Sequence, residues 1–372
     1  MTKEIKDFDY WKNAYNSDKL DEFNFNSSAL LWLKIKSITR KELLSDFIQS
    51  NSLIIKSKLL NDRFKEIYSV FIKDLEKSHL ILDKFINDKN QENLHNVDKE
   101  AIVSELFKLR SFEWGGDYKN ALDKYLVDKY VKAFQKYDEL ISKFETEINR
   151  AVIGYILCSW YNHWSSILIE YIFKTHPFVL PTVGKIKKVD FFINNIPFDL
   201  KVTYLPSNFI EKRRKSKGLK PELTELKQKA KQANITYSNH KRQDDIYYEI
   251  VEKMKNKNDD FCKNSLKELK DTRISILNET LANPKLLVQN LYEEQGEMRF
   301  DSSNRLFLVL IDSDDFDNSW KLKRNLNLLT PSIMKYLDEF PEKNIDDLKV
   351  SFKYKNKSNV FNALADIIFV VK

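Results

Sequence analysis

Glycine is scarce in this chain, six residues among 372, and cysteine is scarcer still, with two. The one adjacent glycine pair, in Trp114-Gly115-Gly116-Asp117, has no Lys-Ser/Thr partner behind it, so it reads as a turn and not as a phosphate-cradling loop. Cys158 falls in an apolar run and Cys262 in a charged one, and the five histidines do not cluster with either, which excludes a disulfide framework and argues against structural zinc. No Gly-x-Ser-x-Gly elbow accompanies the histidines. Asp312, Asp314, Asp315 and Asp317 lack the central Gly and the terminal Glu of a calcium loop and read as a solvated strand-to-helix connection. No stretch of eighteen apolar residues is free of charge, and MTKEIKDFDYWKN at the N-terminus lacks a signal-peptide core. The expectation is a soluble cytoplasmic protein with no membrane partner.

What is present is a large apolar inventory, 42% of residues with 13% aromatic, enough for packed cores in two domains. Residues 1–147 carry no convincing strand run. Segments such as ALLWLKIKSITRKELLSDFIQ place apolar residues at helical spacing, so the region reads as an α-helical domain, broken near Asn90 to Asn96 and at Trp114–Asp117. Residues 148–174 form a long apolar run without proline, read as a buried helix. A first strand follows in HPFVLPTVGKIKK, then strands near 185–193 and 196–204. Pro206 and a basic loop come next, then a helix from Pro221 to about Asn239 and a charged helix over 243–282. Residues 305–311 read as a buried strand, and 361–371 as a β-rich end. The fold class is mixed α/β, with a helical region over 1–147 and a second domain over 148–372.

The most informative stretch is VDFFINNIPFDLKV, Val189 to Val202. Two apolar runs flank Asn194-Asn195, and asparagine tolerates the positive φ that a two-residue hairpin turn needs. With the turn there, 193 pairs with 196, 191 with 198, and Asp190 faces Asp199. Alternation puts Lys201 on the face of Asp199, and Val189, Phe191, Ile193, Phe198, Leu200 and Val202 on the other. Carboxylates opposed across strands repel, so a pair kept together beside an ammonium suggests a cation between them. Hard oxygen ligands suit Mg²⁺, with Mn²⁺ as a substitute, and Mg²⁺ commonly takes one or two carboxylates and leaves room for water and phosphate. That is the equipment of phosphodiester hydrolysis, with Lys201 orienting the attacking water or neutralising charge on the phosphate. Asp-x-Lys alone is weak, because this composition yields about nine acidic-x-basic matches by chance; the apolar strand context carries the weight.

At Asp190, Asp199 and Lys201 the chain resembles the PD-(D/E)XK nuclease superfamily, with Val189 where the motif name has proline. The resemblance covers roughly residues 148–311. It implies a restriction-endonuclease-like αβββαβ core with a mixed central sheet, and it makes Glu170 on the preceding helix a third acidic residue of the metal site. Glu170 stands amid Ile167, Leu168, Ile169, Tyr171 and Ile172, where a bare carboxylate is costly; a salt bridge to a lysine is the alternative. His163, about two turns away, reads first as a satisfied core histidine, with a DNA-contacting role as the alternative.

The net charge of +7 is concentrated. Residues 211–242 hold eleven Lys/Arg against three Glu, so this segment is +8 and the rest of the chain −1. Lys212, Arg213, Arg214, Lys215, Lys217 and Lys220 are therefore candidate DNA-phosphate contacts. The sequence leads to a Mg²⁺-dependent endonuclease acting on double-stranded DNA, of type II restriction kind, as a homodimer, with a DNA methyltransferase as a candidate partner. The helical region would read or clamp DNA. Alternatives are a low-specificity nuclease of phage defence or DNA repair, and a non-catalytic nucleic-acid-binding module.

Overall fold

The computed structural model describes residues 5–112, 122–238, 243–296, 301–354 and 357–372. The Gly-Gly turn expected at Trp114–Asp117 lies outside the described residues, as do Lys241 and Arg242 of the basic segment.

A six-stranded mixed sheet forms the centre, in the order β1-β2-β3-β4-β6-β5. The strands are β1 Val179–Ile186, β2 Val189–Ile193, β3 Ile196–Tyr204, β4 Arg305–Ile311, β5 Lys349–Lys353 and β6 Val360–Val371. The first three are an antiparallel meander; β4 adds to β3 in parallel, β6 to β4 in parallel, and β5 pairs antiparallel with β6. β4 is buried along its whole length, which its unbroken run Leu306–Ile311 permits, because a central parallel strand is covered on both faces. The strand β5 was not anticipated. Only Val350 and Phe352 of its five residues face inward, too short an alternation to stand out of a lysine-rich stretch.

Helices cover both faces. On one, Ile169, Ile172 and Phe173 of helix Asn149–Lys174, with Leu329, Ile333 and Leu337 of helix Leu326–Glu339, pack on Phe191, Phe198, Leu306 and Ile368. On the other, helices Ser207–Ser216, Asp260–Ala282 and Lys285–Glu293 pack through Phe209, Ile276, Leu287 and Tyr292 on Phe307, Val309 and Ala365. At the β1–β2 end, helices Phe8–Asn16, Ser27–Ser37, Lys41–Ser50, Leu60–Phe71 and Leu75–His95 build a core that takes in Val183, Val189 and Phe192. The helical N-terminal region thus shares its hydrophobic core with the first two strands.

Several boundaries differ from the sequence expectation, each for a local reason. Helix Leu75–His95 runs through the break expected at Asn90, whose side-chain amide donates to the Lys174 carbonyl at 3.0 Å and gains a tertiary partner. The basic stretch after Pro206 is a helix, not a loop. The helix after Pro221 ends at Gln232 because the chain turns left-handed at Asn234. Residues 243–282 are two helices, divided where Asn258 is left-handed and Asp259 caps the next helix by accepting from the Cys262 amide at 2.7 Å. No helix among the described residues is long and apolar enough to cross a membrane.

Candidate active site

The β2–β3 turn has Asn194 at φ 47° and Asn195 at φ 62°, the paired left-handed conformation of a two-residue type I′ hairpin. This fixes the register Ile193↔Ile196, Phe192↔Pro197 and Phe191↔Phe198, as the sequence predicts. One step further along, Asp190 reaches across to β3 and its Oδ2 accepts the Leu200 amide at 2.8 Å. Asp199 is buried, and the half-exposed Lys201 has Nζ 3.8 Å from Asp199 Oδ1. Phe191, Ile193, Phe198, Leu200 and Val202 enter the opposite core as expected, whereas Val189 joins the N-terminal core.

The cation that the facing carboxylates require is supplied from within the chain. Arg305 opens β4 in parallel register with Asp199, and its guanidinium forms an ion pair with Asp199 Oδ2. Burial lowers the Arg305 pKa to about 10, and the negative charge of Asp190 works against that fall. Asp190 Oδ1 and Asp199 Oδ1 accept no hydrogen bond among the described residues. Two such oxygens fit Mg²⁺, which is content with one or two carboxylates and completes its shell with water and phosphate. Among the described residues no three or more His, Cys, Asp or Glu side chains are grouped to hold a metal ion, so Glu170 is not brought together with Asp190 and Asp199 as a third ligand.

Glu170, Asp190, Asp199, Lys201 and Arg305 all line one cleft of about 1040 Å³. Glu170 accepts from Lys174 Nζ at 2.7 Å, so it faces the cleft already paired with a lysine one turn along its helix. The opposite wall comes from the N-terminal region, through Thr39, Arg40, Asn90, Asn93 and Leu94. Gly184 lets that wall approach β1, since a Cβ there would overlap Thr39 Oγ1 and stand 2.7 Å from the Ser37 carbonyl oxygen. The cleft is lined by six basic residues, Arg40, Lys174, Lys187, Lys188, Lys201 and Arg305, against Glu170, Asp190, Asp199 and Asp301. Lys188 is spent on Asp18 and Asp301, while Arg40 and Lys187 are exposed and make no ion pair among the described residues. The lining thus carries a formal excess of two positive charges. His163 is not the core histidine expected: it is exposed beside Trp164 and does not line this cleft.

The basic segment behaves differently from its expected role. It follows the far end of β3, and Asp199 to Tyr204 alone spans about 17 Å at the rise of a strand. Arg214 is fully buried between Glu225 and the Lys220 carbonyl, so it is a structural arginine and cannot reach a duplex. Lys212 pairs with Glu294, and Arg213 and Lys217 share Glu279. Lys220 donates to Gln228 at 3.0 Å, and Lys215 is exposed with no ion pair among the described residues. None of the six lines the cleft. The residues that the sequence left unremarked are Arg305, Arg40 and Lys187. A charged first residue on an otherwise apolar strand was the available signal for Arg305.

Comparison with protein-family models, curated proteins and solved structures finds no match for this chain. The candidate site therefore stands on its own geometry.

Proposed function

We propose that this protein is a Mg²⁺-dependent endonuclease that hydrolyses phosphodiester bonds of double-stranded DNA, with Mn²⁺ able to substitute. The observation that carries the reading is the hairpin register, which brings Asp190, Asp199 and Lys201 onto one face at the floor of a predominantly basic cleft. The element order helix, β1-β2-β3 meander, helices and a parallel β4 supports the restriction-endonuclease-like core that the resemblance implies. Asp190 and Asp199 would hold the metal through their Oδ1 atoms, that of Asp199 lying beside Lys201. When bound, the metal polarises the phosphoryl group and lowers the pKa of a coordinated water. Lys201, half exposed beside Asp199, would orient that water and offset charge growing on the phosphate. Glu170 assists from the wall, where Lys174 can exchange it for a phosphate oxygen. Arg40 and Lys187 would hold the flanking backbone, in place of the basic segment.

A type II restriction enzyme acting as a homodimer is the specific form proposed, since two cuts on a duplex call for two active sites. A cytoplasmic setting and a cognate methyltransferase belong to the same proposal. The test is digestion of unmodified duplex DNA with Mg²⁺: discrete bands are expected, a smear of all sizes would point to a low-specificity defence or repair nuclease, and Lys201→Ala should abolish both. The Arg305–Asp199 pair favours a second reading, a nucleic-acid-binding module whose site is neutralised internally. Duplex binding with no metal uptake would support that one.

A further inference from the structure

Within the metal-site reading, Arg305 raises a question that the acid pair alone does not. Its side chain is only 4% exposed, and a buried guanidinium is tolerated where carboxylates neutralise it. The reverse also holds, because Asp190 and Asp199 need a cation between them in the resting protein. A divalent ion and Arg305 answer the same need at the same carboxylates, Arg305 through Asp199 Oδ2 and the charge it shares with Asp190. Placing two positive charges on a fixed guanidinium is repulsive, and the repulsion is strong where water is excluded. With the guanidinium held on Asp199 Oδ2 a metal at the Oδ1 atoms is disfavoured, and it binds more tightly as the guanidinium gives up that hold. Arg305 lines the cleft, so the nearest new partner for it is a phosphate oxygen of the bound substrate, which a guanidinium can grip with two parallel hydrogen bonds.

We propose that Arg305 is the resident counter-ion of the acid pair and exchanges with the divalent metal, leaving Asp199 for the DNA phosphate as metal and substrate bind together. In the free protein Arg305 pairs with Asp199, offsets the charge of Asp190 and keeps metal affinity low. With DNA in the cleft it has an anion to move to, so metal and DNA each tighten the other's binding by the same factor, as linkage requires. Arg305 is then a positioning residue for the acid pair and a phosphate ligand in the loaded complex.

The experiment is a calorimetric Mn²⁺ titration of the full-length chain carrying Lys201→Ala, which keeps both aspartates and leaves a short duplex intact during the measurement. Without DNA, Mn²⁺ binding should be weak, and the duplex should tighten it at least about tenfold, a modest demand on the loss of one adjacent positive charge. Adding Arg305→Gln should give, without DNA, the affinity that the parent reaches only with the duplex, and the duplex should then add almost nothing. Equal Mn²⁺ affinity of the two proteins in the absence of DNA would overturn the exchange while leaving the metal site standing. No Mn²⁺ binding by either protein, with or without duplex, would remove the metal site itself and the exchange with it. If Arg305→Gln fails to fold, the parent decides alone: a duplex that leaves Mn²⁺ affinity unchanged overturns the proposal.

Discussion

Replacing Asp199 by alanine should destabilise the fold more than any other single change at the site. From the hairpin alone the opposite is expected, since relieving two opposed carboxylates should add stability. Arg305 reverses the sign. Its side chain is 4% exposed against 11% for Asp199, so the pair is largely shielded from solvent. Breaking a buried ion pair from one side leaves an uncompensated charge and costs about 3–5 kcal/mol. Asp190 remains nearby and already opposes the fall in the Arg305 pKa, which sets the expected loss at about 3 kcal/mol, the lower end of that range. Asp190→Ala keeps the pair and gives up one hydrogen bond to the Leu200 amide, worth about 1 kcal/mol. The double change Asp199→Ala with Arg305→Met removes both charges and should recover to within about 1 kcal/mol of the parent, because an apolar replacement of a buried pair is often neutral. Urea unfolding of the parent, Asp190→Ala, Asp199→Ala, Arg305→Met and the double variant, all full-length, measures these differences, read from midpoints at constant slope. Asp199→Ala as stable as the parent, or a double variant whose loss equals the sum of its singles, would refute the reasoning.

Acid should destabilise the N-terminal core. Burial holds His79 down at about 4 against an ordinary value of 6.5, so between those values the unfolded chain binds a proton that the folded chain refuses; stability is full above pH 6.5 and falls by roughly 3 kcal/mol as pH drops towards 4. Urea midpoints across that window, flattened in His79→Gln, check it. Gly184→Ala should cost about 1–3 kcal/mol through overlap with Thr39 and Ser37, and should impair DNA binding by displacing the cleft wall, measured by melting and by duplex affinity. Arg40→Gln with Lys187→Gln should reduce the slope of log affinity against log salt by nearly 2, about 0.9 for each lost phosphate contact. Arg213→Gln with Lys217→Gln should leave that slope unchanged, because Glu279 already neutralises both.

The hairpin was readable because everything that specifies it is local: two asparagines that accept left-handed φ, flanked by apolar residues at strand spacing. The continuous burial of β4 was readable for the same reason. Arg305 was not, since its register against Asp199 arises from a parallel pairing across a long helical crossover that no local pattern encodes. The N-terminal wall was equally hidden: Arg40 and Asn93 belong to no motif, and the Ser37–Thr39 segment before Arg40 packs on β1 only because Gly184 has no Cβ. The basic segment misled for a related cause. Lysine and arginine density is visible in a sequence, but the carboxylates that neutralise it, Glu279 and Glu294, arrive from other helices.

The most direct measurement of the central claim is nicking of supercoiled plasmid by the intact chain beside Asp190→Ala, a variant that retains the Arg305–Asp199 pair and should melt close to the parent. The account predicts cleavage by the parent that requires Mg²⁺ or Mn²⁺, with the rate in Asp190→Ala lower by at least about a thousandfold, the worth of several kcal/mol of metal-derived stabilisation. Undiminished cleavage by a folded Asp190→Ala, or no cleavage by the parent with either metal, would contradict it.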